Sequence, residues 1–402
     1  MVTQTTVSSP KAATAASAAT ALPDHFEAFA DARKLSFIKA KEFKESGGRL
    51  AGYLCSFAPL EALDAGGLAA VGLCGTSNET VPDAETVLPK NLCPLIKSTY
   101  GFALTQKCPF TYFSDIIIGE TTCDGKKKMY ELLADLKPVY VLQLPQGQQR
   151  PYAAEIWKKE LELFIAEIEQ RFAVQIDDAA LRQAATRRNR LRQALVELYA
   201  LQQATPPMMS GVEIMTTILQ GAFSFDIEEY TEKLQALVAE KRAAYAAGQR
   251  PVAASARRIL LTGCPSGGLV QKVGMAIEEN GGVIVCLDDC MGERTNRLMV
   301  DDQAEDICQA ISDRYLEIHC AVMSPNATRQ DNLLELIKRY QVDGVIELVL
   351  QACHPFNIES AHISTLLEQH DIPYMKLETD YSPSDSGQLQ TRIAAFIETL
   401  AQ

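Results

Sequence analysis

The 402-residue chain has no C-x2-C pair, no P-loop pattern of the form G-x-x-x-x-G-K-S/T, and no cysteine between Cys123 and Cys264. Each absence excludes something. Structural zinc sites usually announce themselves through tight cysteine pairs, and the tightest spacing here is Cys286 to Cys290. Without a P-loop, no nucleotide site of that type is expected in this chain. No apolar run reaches the roughly 18 residues that a membrane-spanning helix needs, so no membrane partner is expected. The balance of 38 basic against 51 acidic residues gives a net charge of −13 with no dense basic stripe, which argues against nucleic acid. Eleven cysteines in so long a chain are too few for a disulfide framework, and no secretory segment with an apolar centre opens the sequence. The expected setting is cytoplasmic and reduced, where clustered thiols read as metal-binding or catalytic.

What is present is a division. Five cysteines lie between Cys55 and Cys123 and six between Cys264 and Cys353, which predicts a site assembled from two distant segments. Cys93, Cys108 and Cys264 are each followed by proline, which removes a backbone N–H and stiffens the loop. The same habit occurs where cysteine runs hold iron–sulfur clusters.

The patterning predicts an α/β fold with two Rossmann- or flavodoxin-like parallel-sheet domains and an additional helical region. Residues 1–22, rich in Ala, Thr and Ser, read as a disordered tail, and 23–48 as a helical segment. Residues 49–150 form the first α/β domain, with strands expected at Leu50–Leu54, Ala69–Leu73, Asp115–Ile118 and Val139–Leu144. Residues 151–255 read as helical, with Pro206-Pro207 and Gly211 interrupting the helices. Residues 256–402 form the second α/β domain, with strands at Arg258–Gly263, Gly282–Asp288, Leu316–Cys320, Gly344–Leu350 and Tyr374–Glu378. Its helices are expected at Leu269–Glu279, Asp301–Asp313, Arg329–Tyr340, Asn357–His370 and Ser386–Leu400. The loop Gly263–Gly268 lacks the G-x-G-x-x-G spacing of a dinucleotide site and carries a cysteine at its tip.

Open α/β sheets bind ligands outside the carboxyl ends of their strands. Cys55, Cys74, Cys264, Cys290, Cys320 and Cys353 each fall at or just past an expected strand end, and Cys123 closes the loop after the third strand. Two such domains facing one another would place a cluster in the interdomain cleft. Cys308, on an apolar helix stripe, and Cys286, inside a strand run, read as packing residues. Cys93, Cys123 and Cys353 lie in Pro-, Gly-, Asp- and His-rich loops and read as ligands, followed by Cys74, Cys108 and Cys264. Dispersed single thiolates suit a cubane, whose irons each need a ligand from a different direction. His354 is a candidate proton donor near neutrality, or simply a loop hydrogen bond. Lys126, Lys127 and Lys128 read as a helix's solvated face, or else as charges that offset a cluster or bind an anionic substrate, and Glu120 and Asp124 as caps for that helix.

The stretch NLCPLIKSTYGFALTQKCPFTYFSDIIIGETTCDGKKK, with LTGCPSGG, DDCMGERTNRLMV, CAVMSPNATRQ and LQACHPFNIES further on, resembles the 2-hydroxyacyl-CoA dehydratase D-component and benzoyl-CoA reductase family. The resemblance is nearest to its double-cubane cluster proteins. It implies a cytoplasmic iron–sulfur reductase of small molecules, homodimeric, in which an 8Fe-9S double-cubane cluster receives low-potential electrons. The donor would be a homodimeric ATP-hydrolysing activator with its own 4Fe-4S cluster. The alternative it implies is a subunit of an (R)-2-hydroxyacyl-CoA dehydratase or aromatic acyl-CoA reductase with a single 4Fe-4S cluster. By resemblance Cys93, Cys123 and Cys353 hold one cubane and Cys74, Cys108 and Cys264 a second, with Cys55, Cys290 and Cys320 as competing candidates.

Overall fold

The computed structural model describes residues 21–401. The expected tail therefore lies almost wholly outside the described residues, and at its far edge Leu22 packs against the core. Among the described residues the chain runs α1 (Asp31–Glu45), β1 (Arg49–Tyr53), α2 (Leu60–Ala65), β2 (Leu68–Gly72), α3 (Val81–Ala84), α4 (Pro94–Leu104), α5 (Pro109–Phe113), β3 (Ile116–Glu120), α6 (Asp124–Leu133) and β4 (Val139–Leu142). Four longer helices follow: α7 (Ala153–Phe172), α8 (Asp178–Ala200), α9 (Gly211–Gly221) and α10 (Ile227–Ala246). The remainder is β5 (Arg257–Gly263), α11 (Met275–Glu279), β6 (Gly282–Asp288), α12 (Glu293–Asn296), α13 (Ile307–Leu316), α14 (Ala327–Arg339), β7 (Gly344–Leu350), α15 (His354–Gln369), β8 (Tyr374–Thr379) and α16 (Ser386–Thr399).

The strands form two four-stranded parallel sheets of the same order, β2-β1-β3-β4 and β6-β5-β7-β8. The expected α/β class with two parallel sheets is what the chain adopts. β6 and β7 are buried along their whole length, as parallel strands covered on both faces must be. In each sheet the chain leaves the central strand in one direction and returns on its other side, between β1 and β3 and between β5 and β7. A crevice opens at the carboxyl ends of such a switch point.

The helices between the sheets are fastened to both. Arg188 and Arg192 of α8 pair with Asp64 and Glu61 of α2 at 2.6 Å each. Gln202 donates to the Ile284 carbonyl at 3.0 Å. The two sheet regions also meet directly, where the Leu60 amide donates to the Tyr315 hydroxyl at 2.9 Å and the Ser324 amide to the Gln146 carbonyl at 2.9 Å. Arg192 and the Tyr315 hydroxyl draw the fully buried Glu61 carboxyl down to about 2, against the penalty of its burial.

Three expectations need correcting. Leu316–Cys320 is not a strand: Asp306 caps the Gln309 amide at 2.9 Å, starting α13 later and carrying it to Leu316, and a tight turn from Ile318 to Cys320 follows. The helix expected over Leu269–Glu279 is α-helical only from Met275, because a 3-10 turn and a π turn (Val270–Gly274) precede it. Gly211 does not interrupt helical structure but begins α9, where the Ser210 hydroxyl caps the Glu213 amide at 3.1 Å.

Candidate functional site

Two of the three stiffened loops expected at Cys-Pro are helix starts, while Cys264-Pro265 stays in a loop. Cys93 and Cys108 are the N-cap residues of α4 and α5, with Pro94 and Pro109 in the first helical position, where a missing N–H costs nothing. Cys123 and Cys353 likewise cap α6 and α15. A thiol at a helix start sits where unpaired N–H groups and the helix dipole favour a thiolate.

The thiols near the strand ends follow one pattern in the two sheets. Cys55 lies two residues beyond β1 and Cys264 one beyond β5; Cys74 and Cys290 lie two beyond β2 and β6; Cys123 and Cys353 lie three beyond β3 and β7. Cys93 and Cys320 occupy the crossovers from β2 to β3 and from β6 to β7.

Two groups result, each drawing on both sheet regions. In the first, Cys353 is a near neighbour of the Cys93 and Cys264 thiols. That proximity, reinforced by burial, pushes the Cys93 thiol well above its ordinary range. Cys353 is pushed up mainly by Cys264, with Cys93 acting the other way. The Leu350 amide donates to Cys264 Sγ at 3.3 Å. Cys74, close enough to feel Cys93, donates to the Leu54 carbonyl at 3.2 Å, and burial raises it. In the second group Cys55, Cys290 and Cys320 are neighbours: burial pushes Cys55 up to about 12 against the pull of Lys126, and burial together with Cys320 and Cys55 raises Cys290.

Other candidates take different places. Cys108 Sγ accepts from the Thr111 amide at 3.5 Å, and its charged neighbour is Arg33 of α1, which is engaged by Glu79. Cys123 is half-buried at the start of α6. His354 is exposed at the start of α15. Cys286 is buried within β6 and Cys308 half-buried on α13, as expected of packing residues.

Glu120 and Lys126 depart from their expected places. Glu120 does not cap a helix: it ends β3, is fully buried, and neither carboxyl oxygen has a partner. Burial raises it to about 7, with Lys126 pulling the other way. Lys126 is not on a solvated face either. On α6 it shares the inward stripe with Met129, Tyr130 and Leu133, and its Nζ donates to the Leu54 carbonyl at 2.6 Å, beside Cys55 and Cys74. The spacing 126-129-130-133 is the sequence signal for it. Lys127 and Lys128 do face outward, paired with Asp124 and Glu131.

Beneath the second sheet's carboxyl ends the buried charges are matched. Asp288 accepts from Thr262 Oγ1 at 2.6 Å and pairs with Arg294 at 3.1 Å, while Arg329 pairs with Glu347 and Glu359.

Two parallel sheets that pool cysteines from their carboxyl ends define a class of thiol-lined α/β proteins. The family of 2-hydroxyglutaryl-CoA dehydratase D-components matches residues 55–400, and this chain belongs to it. It is 46% identical over 382 residues to the Escherichia coli (strain K12) protein called "Putative dehydratase subunit YjiM", covering 95% of this chain and 99% of that one. It is 24% identical to the beta subunit of (R)-2-hydroxyglutaryl-CoA dehydratase of Acidaminococcus fermentans, over 95% of this chain and 100% of the relative. With a benzoyl-CoA reductase subunit of Thauera aromatica it shares 22% identity, over 89% of this chain and 92% of the relative. No described helix is long and apolar enough to cross a membrane.

Proposed function

We propose that the chain is the iron–sulfur subunit of a dehydratase or acyl-CoA reductase, working with an ATP-hydrolysing activator that delivers single electrons. The observation that carries this reading is the gathering of thiols from both sheets at their carboxyl ends, with Cys353 close enough to both Cys93 and Cys264 to shift with them. Family membership and the names of the relatives point to the same reaction classes.

The donor set suits a cluster better than a lone ion. Among the described residues, no three His, Cys, Asp or Glu side chains converge tightly enough for a single metal, whereas a cubane takes its thiolates at separate corners. Cys93, Cys353 and Cys264 would hold one 4Fe-4S cluster, with Cys74 near Cys93 as a further candidate and Cys123 as the ligand that family resemblance nominates. Such a cluster supplies low-potential one-electron chemistry and an open iron position. Lys126 sets a buried positive charge close to Cys55 and Cys74. His354, being exposed, would serve as a proton carrier only from the solvent side.

A second reading, a homodimeric double-cubane reductase of small molecules, is favoured by the second thiol group. A single cubane has no use for Cys55, Cys290 and Cys320, which, like the first group, gather at the carboxyl side of both sheets. On this reading they take the place of Cys108 among the ligands.

Anaerobic purification with iron and sulfide analysis tests both. About four irons per chain, unchanged in a Cys55→Ala/Cys290→Ala/Cys320→Ala variant, selects the single cluster; about eight, falling by half in that variant and unchanged in Cys108→Ala, selects the double one. A chain that binds no iron overturns both.

A further inference from the structure

A groove of about 340 Å³ runs between the start of α11 and the loop that follows β8, and Tyr381 forms one end of it. Tyr381 stands two residues beyond the last strand, so it too belongs to the carboxyl ends of the second sheet. Its ring lines the groove, yet its hydroxyl is enclosed and has no hydrogen-bond partner. An enclosed hydroxyl without a partner costs about 1–3 kcal/mol, so a fold that retains one has a use for it or supplies the missing partner from outside the chain. β8 lies beside β7, which leads to Cys353 and whose last amide, Leu350, donates to Cys264 Sγ at 3.3 Å, so Tyr381 shares the sheet end of the first thiol group; burial, and after it the Cys93, Cys74, Cys264 and Cys353 thiols, push its hydroxyl up.

The loop carrying Tyr381 is fixed. Lys272 Nζ donates to the Asp380 carbonyl at 3.0 Å and the Ser382 carbonyl at 2.6 Å, and it pairs with Asp385, whose other oxygen accepts from Thr379 Oγ1 at 2.7 Å. Lys272 belongs to the π turn Val270–Gly274, a local irregularity that recurs at functional sites. On the other wall, Gly268 approaches Thr76 so closely that any Cβ would collide with the Thr76 carbonyl, so the two halves of the molecule touch at the groove's edge. With its charge consumed by the loop, Lys272 is not free to bind an anion. The groove is suited to a small uncharged molecule.

We propose that this groove is the access route to the Cys93/Cys264/Cys353 group, and that the Tyr381 hydroxyl donates a hydrogen bond to the sulfur of whatever that group holds. Tyr381 is a positioning residue that tunes the site. The ligand half of the inference rests on the iron–sulfur reading above; the access half does not. Hydrogen bonds to cluster sulfur raise the reduction potential, because they stabilise the more negative, reduced state.

Two measurements test it. In iron-free reduced protein, alkylation by iodoacetamide is followed at each cysteine by mass spectrometry in wild type and in Ser386→Trp, which fills the groove from α16. The expected result is at least a tenfold slowing at Cys353 with the rate at half-exposed Cys308 unchanged; equal rates at Cys353 overturn the access route. In iron-loaded protein, Tyr381→Phe is expected to keep its iron content and show a lower midpoint potential and an altered EPR signal of the reduced cluster. An unchanged potential and spectrum at full iron content overturn the hydrogen bond. Failure to load iron at all counts against the iron–sulfur reading, while the alkylation result still decides the access route.

Discussion

The two sheets share strand order and cysteine placement, but they treat buried charge in opposite ways. Under the second sheet's carboxyl ends, Asp288, Arg294, Arg329 and Glu347 neutralise one another, and the Thr262 hydroxyl bonds to both Asp288 and Arg329. Under the first sheet's, Glu120 keeps two unpartnered oxygens while the nearby Lys126 spends its hydrogen bond on the Leu54 carbonyl. A matched network holds a fold together. An unmatched carboxyl weakens it, and it is tolerated beside the thiols because the place has another use. The second half is thus the frame and the first the more reactive wall.

That comparison can be broken most sharply at Arg294. Arg294→Met leaves Asp288 buried with only the Thr262 hydroxyl and is expected to cost about 3–5 kcal/mol, read as an earlier urea midpoint of the iron-free chain. A midpoint equal to wild type would mean that the second sheet's charges are not structural. At Glu120 the sign reverses. Burial holds its carboxyl at about 7, above the roughly 4.5 it would have unfolded. The penalty is absent below about pH 4.5, grows as pH rises and is complete above about 7. Glu120→Gln should therefore be more stable than wild type at about pH 8, by at most about 3 kcal/mol, with the gain gone by about pH 4. A destabilised variant under the alkaline condition would show that the carboxylate is paired after all.

Much of this is legible in the sequence. Strands such as Gly282–Asp288 and Gly344–Leu350 are apolar runs opened by glycine, the second broken only by Glu347, and the structure reproduces them end to end. The strand-end rule places Cys55, Cys74, Cys123, Cys264, Cys290 and Cys353 where the fold has them, and it misses only for Cys320, which follows a helix and a turn. What periodicity does not supply is pairing across segments: Cys290 and Cys320 reach Cys55, more than 200 residues away in the chain, and no local spacing encodes that. Short helices opened by Cys-Pro read as loops, because a proline at the first helical position and one in a rigid loop look alike in sequence. Tyr381 escapes a reading confined to cysteines, although the same strand-end rule covers it, two residues past β8.

The smallest expected effects test whether position, and not the thiol itself, makes a ligand. Cys286 and Cys308 share the chemistry of Cys93, but Cys286 is enclosed among side chains of β6 and Cys308 lies half-exposed on α13. Neither stands at a carboxyl strand end. Cys286→Ala removes one buried sulfur and should cost about 1 kcal/mol, while Cys308→Ala should stay within about 0.5 kcal/mol of wild type. Both should keep full iron and sulfide, whereas Cys93→Ala should lose the cluster held with Cys353. Loss of iron from Cys286→Ala at unchanged thermal stability would place a ligand inside a strand and dissolve the distinction between the packing thiols and those at the sheet edge. Retention in both, against loss in Cys93→Ala, would tie iron binding to the two sheet edges that face each other.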